Sequence, residues 1–144
     1  MGKEKFIDAG LFVLRLGIGL SMALFHGWGK ISGGPEYWAK LGTSMSQFGI
    51  TFWPILWGFS AAFAEFFGSI MLILGFGFRI ACLLLFLTMM VAAYKHLSLP
   101  PEAVKSGWKG ASHALEFLTI YLALFLTGPG KFALNQKIKF GKKR

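Results

Sequence analysis

Acidic side chains are scarce in this sequence. Six Asp and Glu face fifteen Lys and Arg, and charged residues fill only 15% of 144 positions. Soluble domains carry about a quarter charged residues, so this composition argues against a water-covered surface and against a soluble enzyme. Cysteine is nearly missing. The single Cys82 excludes an intrachain disulfide framework, a CxxC redox pair and a multi-cysteine zinc site. Charge is absent from Ile80 to Tyr94. What the sequence has instead is apolar: 55% hydrophobic and 17% aromatic residues, which excludes a disordered chain.

Crossing about 30 Å of hydrocarbon takes about 20 mostly apolar residues, and four stretches approach that length. They are residues 9–30, interrupted by Arg15 and His26; 52–76, with Glu65 as its one charge; 79–97; and 111–127, with His113 and Glu116 near its start. A soluble helix shows one apolar stripe and one charged face, whereas residues 80–94 have no polar face. The reading is all-α, an integral membrane four-helix bundle forming one domain over residues 1–144. Ser32-Gly33-Gly34-Pro35, Gly75 to Phe78, Pro100-Pro101 and Gly128-Pro129-Gly130 break the spans. In the first loop Trp38, Leu41, Met45 and Phe48 recur at helical spacing, which fits a short interfacial helix; a plain loop fits equally. Arg15 interrupts the first apolar run and no small-residue cleavage site follows, so a retained span is expected rather than a signal peptide.

With four spans, both termini lie on one side. That side holds Lys3, Lys5, Arg79, Lys131, Lys137, Lys139, Lys142, Lys143 and Arg144, against Lys30, Lys40, Lys95, Lys105 and Lys109 on the other. Nine against five places both termini in the cytoplasm of an inner-membrane, multi-pass protein. Residues 131–144 form a basic tail with six positive charges and no acid, suited to topology and to anionic lipid. It lacks the interleaved aromatics of a nucleic-acid binder, so no nucleic-acid partner is expected.

Ionisable groups at membrane depth usually face the bundle interior and are site candidates. Arg15 and His26 are eleven residues apart, about 20° around a helix axis at about 100° per residue. Gly58, Ala61, Ala62, Glu65, Gly68 and Ser69 share one face of the second span, where small residues admit a neighbouring backbone. Glu65 therefore belongs to a packed seam, and an Arg15–Glu65 ion pair is the expected contact. Lys30, Arg79 and Lys95 sit at span ends, where interface anchoring is the expected role. His26, His96 and His113 all fall in the half away from the termini, with Glu116 three residues after His113. Imidazole and carboxylate suit a transition metal, yet no ligand spacing such as HExxH is present, so a metal at His26, His96 and His113 is not the favoured reading.

Three segments carry a family resemblance: LRLGIGLSMALFHGWGKISG (14–33), AEFFGSIMLILGFGFRIACLLLFLTMMVAAYKHL (64–97) and ALEFLTIYLALFLTGPGKFALN (114–135). Their ordered set resembles the DoxX family of small four-span bacterial membrane proteins. The family pattern maps onto Arg15, Gly19, His26, Gly27, Lys30, Glu65, Gly68, Gly75, Arg79, His96, Glu116 and Gly128-Pro129-Gly130. Relatives often follow that last turn with a Ser and then an Asp, where this sequence has Ala133 and Asn135. The resemblance implies an association with quinones and electron transfer, as in subunits of quinone-linked oxidoreductases.

Two functional readings follow. In the first the chain is a membrane component of a quinone-linked oxidoreductase system. Glu65, Glu116 and His113 then move protons, and Arg15, His26, Lys30 and His96 hold the headgroup. Trp28, Trp57 and Phe86 are candidates to flank the ring. No haem, flavin or iron–sulfur motif is present, so electrons would come from a partner redox subunit. In the second the polar seam only holds together a scaffold, assembly factor or small-solute carrier. Membrane lipids are expected partners in both, and a homo-oligomer is compatible with either.

Overall fold

In hydrocarbon a backbone must bond to itself, which leaves the helix as the economical state for long apolar runs. The computed structural model describes residues 2–134, with Lys3 described by its backbone alone. Among them no strand occurs. Four helices are long and apolar enough to cross a membrane. We label them α1 (Glu4–Ile31), α3 (Pro54–Leu74), α4 (Phe78–Leu97) and α5 (Gly107–Thr127). Between the first two lies α2 (Gly34–Gly42), which continues into a 3-10 turn, Thr43–Phe48. Most of the basic tail lies outside the described residues.

The exterior of the bundle is apolar. On α4, Ile80, Leu83 and Leu87 are 61%, 47% and 42% exposed, the surface that acyl chains would cover. The interior seam joins α4 to α5, with Leu85, Cys82, Tyr121 and Leu124 almost fully buried. The turn from α3 to α4 uses Gly75 and Gly77, both at positive φ, so two membrane-length helices reverse within three residues.

α2 packs on α3 rather than running free along the surface. Its helical spacing carries Trp38, whose ring meets the Phe59 ring edge-on at 4.9 Å. The backbones cross so closely that a Cβ at Gly42 would strike the Pro54 carbonyl, and one at Gly58 the Trp38 carbonyl. Gly58, Ala62, Glu65, Gly68 and Ser69 are all buried on the small-residue face of α3.

Two membrane helices are interrupted in register. Met22–Gly27 of α1 and Ala64–Gly68 of α3 are π-helical, and the two segments pack against each other. A Cβ on Gly27 would stand 2.8 Å from the Phe66 backbone, so only glycine permits this approach. Each π turn holds an extra residue, which rotates the following side chains by about 100° relative to an unbroken α-helix. His26 and Glu65 sit inside these segments, and Lys30 follows the first.

Candidate functional site

The half of the bundle away from the termini holds two polar pairs in sequence around α1. Lys30 Nζ lies 2.6 and 2.5 Å from the two Glu65 carboxylate oxygens. The Glu65 side chain is 2% exposed and that of Lys30 23%. Glu65 is thus paired within the protein, with the partly exposed ammonium of Lys30 as its partner. Trp38 steadies the pair from α2, its indole N–H donating to the Lys30 carbonyl at 2.8 Å. That bond satisfies an acceptor near the end of α1, where helix carbonyls lack partners.

One turn back from Lys30, His26 meets His113 of α5, the two Nε2 atoms 3.2 Å apart. His113 is exposed and His26 half-buried on the α1–α5 flank. At this separation one Nε2 carries a proton and donates while the other accepts. The accepting ring must then hold its own proton on Nδ1, and the donating ring has a bare Nδ1. Neither Nδ1 has a hydrogen-bond partner among the described residues. The pair accordingly offers one free donor and one free acceptor. Phe117, one turn further along α5, places its ring 4.8 Å from that of His113, and Trp28 packs on Phe66 at 5.6 Å.

The expected Arg15–Glu65 ion pair does not form. Arg15 is fully buried near the termini, donating from Nη2 to the Phe132 carbonyl at 2.8 Å. Its guanidinium lies 5.6 and 5.8 Å from the Phe12 and Phe78 ring centroids, and Nη1 lies against Gly75. Gly75 follows Glu65 by ten positions, about 15 Å along a helix, which is beyond the reach of an Arg stem. Lys30, expected at the interface, takes the carboxylate instead. Arg15 therefore belongs to a different structure, a clasp between α1 and the segment after α5. Asp8 Oδ1 accepts from the Lys131 backbone N–H at 3.0 Å, and Lys131 Nζ reaches Glu4 at 2.9 Å. The Glu4 carboxylate, with Asp8 behind it, raises the Lys131 ammonium above the ordinary lysine value. That contribution is present at neutral pH and fades only as pH climbs through the raised value.

The remaining candidates are dispersed. His96 donates from Nδ1 to the Lys105 carbonyl at 2.8 Å, which ties it to the loop before α5. Glu116 is exposed and makes no hydrogen bond or ion pair among the described residues. Trp57 donates to the Phe52 carbonyl at 3.0 Å. Among the described residues no three His, Cys, Asp or Glu assemble as metal ligands. An apolar groove of about 650 Å³ between α2 and α3, lined by Trp38, Trp53 and Phe59 among others, lies outside both pairs.

Trp38 and Tyr121 were not singled out as polar participants from the sequence. Trp38 carries its signal in lying eight residues beyond Lys30, across the Gly-Gly-Pro break. The Tyr121 hydroxyl is buried without a partner among the described residues, and nothing in its sequence surroundings marks it.

The DoxX family model matches residues 10–97, which spans α1 to α4. No curated protein and no solved structure matches the chain.

Proposed function

The chain belongs to the DoxX family, and from that premise we propose a membrane-embedded component of a quinone-linked oxidoreductase system. The observation that carries the reading is the His26–His113 pair, with one free donor and one free acceptor among the described residues, on an exposed flank of the bundle. A quinone headgroup needs a donor at its carbonyl oxygen, and its reduced form needs an acceptor for the hydroxyl. The two Nδ1 atoms provide both functions and fit such a group. When bound, the quinone would supply two-electron, two-proton redox chemistry to electrons delivered by a partner redox subunit.

What the chain contributes is proton handling. The Nδ1–H of one ring hands a proton to an adjacent oxygen, the proton shared between the Nε2 atoms shifts across, and the second Nδ1 takes a replacement from water. Imidazoles suit this relay because each ring carries two nitrogens, one a donor and the other an acceptor, so a proton can enter at one and leave at the other. Lys30 and Glu65, one turn away, fix the backbone carrying His26 and hold a compensated charge pair beneath it. We place both termini in the cytoplasm of an inner membrane, on the excess of Lys and Arg at that end.

A short-chain quinone added to detergent-purified protein should raise the melting temperature. Saturation at 100 times Kd corresponds to about 2.7 kcal/mol. His113→Ala should abolish the shift. A shift absent from the wild type, or unchanged in His113→Ala, would overturn the reading. The closed Lys30–Glu65 pair favours a second reading, a scaffold whose polar seam is structural, and that reading expects no quinone response at all.

A further inference from the structure

We infer that His26 and His113 form a two-ligand site for a borderline divalent cation of the zinc class, and that occupancy locks α1 to α5 and silences the imidazole pair. The site rests on the geometry of the pair alone, whereas the silencing rests on the proton relay proposed above.

Two nitrogens bound to zinc at about 2.0–2.1 Å with a tetrahedral angle stand about 3.3–3.4 Å apart. The two Nε2 atoms stand 3.2 Å apart, so a cation replaces the shared proton with little ring movement. The ligands come from separate helices, His26 from α1 and His113 from α5, so one cation held by both ties those helices together. His113 is exposed and lies within two turns of the start of α5 at Gly107, so the approach is open from that end of the bundle. No third side chain among the described residues completes the set. Water would fill the other positions, so with two protein ligands the site binds more weakly and more reversibly than the three- and four-ligand zinc centres. The bound cation takes the place of the shared proton, so the relay between the two rings stops.

The test uses the full chain in detergent, titrated calorimetrically with Zn2+ and followed by visible absorption with Co2+. One cation per chain should bind, and Zn2+ should raise the melting temperature. His26→Ala and His113→Ala should each weaken binding by about tenfold or more, and His113→Gln, which keeps side-chain bulk, should do the same. His96→Ala should leave binding unchanged, because His96 is committed to the Lys105 carbonyl. Absence of stoichiometric binding to the wild type would overturn the site, as would equal affinity in a folded His113→Gln protein. Loss of the metal result with a quinone shift intact would remove this inference and spare the functional reading; the converse would do the reverse.

Discussion

Lys30→Met is expected to destabilise the bundle by about 3–5 kcal/mol, the usual cost of removing one partner from a buried ion pair. Glu65 is 1% exposed, and without the ammonium its carboxylate would stand uncompensated in a medium that cannot solvate charge. Glu65→Leu together with Lys30→Met should recover most of that loss, because the double variant leaves no isolated charge. Chemical denaturation in mixed micelles of the wild type, both singles and the double measures this cycle. Equal stability of Lys30→Met and wild type would mean that the pair does not exist.

Arg15 should behave differently, although it is the larger buried side chain. It has no carboxylate within ion-pair range among the described residues, so Arg15→Met leaves no orphaned charge. The variant leaves the Phe132 carbonyl without its donor, a cost of about 1–3 kcal/mol. Arg15→Ala also empties the space between the Phe12 and Phe78 rings, and truncations of that size cost about 3–5 kcal/mol. The two variants should therefore separate clearly in melting temperature, and in both the segment around Phe132 should exchange amide hydrogens faster. Identical stability of Arg15→Met and Arg15→Ala would show that packing around the guanidinium contributes nothing.

The membrane helices were legible because apolar length needs no register: a run without charge spans wherever its phase falls. The seam on α3 was legible too, since Gly58, Ala62 and Glu65 recur at helical spacing, and Ser69 stays buried beyond the π segment. Partner choice was not. Assigning Glu65 to Arg15 required a depth, and α1 runs to Ile31 with Lys30 folded back over the carboxylate. The two π segments that shift His26 and Glu65 have no mark in the residues that form them. Grouping the three histidines at one end was readable from their positions in the spans. Which two meet depends on how α5 packs against α1, and His96 is diverted by a loop carbonyl that no side-chain pattern reveals.

Retention of a redox lipid by the paired imidazoles of α1 and α5 is the property most open to direct measurement. Mass spectrometry of the lipid extract from purified protein, wild type beside His113→Ala, decides it. The expected result is a quinone retained near one per chain by the wild type and lost from the variant. Extracts with no quinone in either, or with equal amounts in both, would contradict the account.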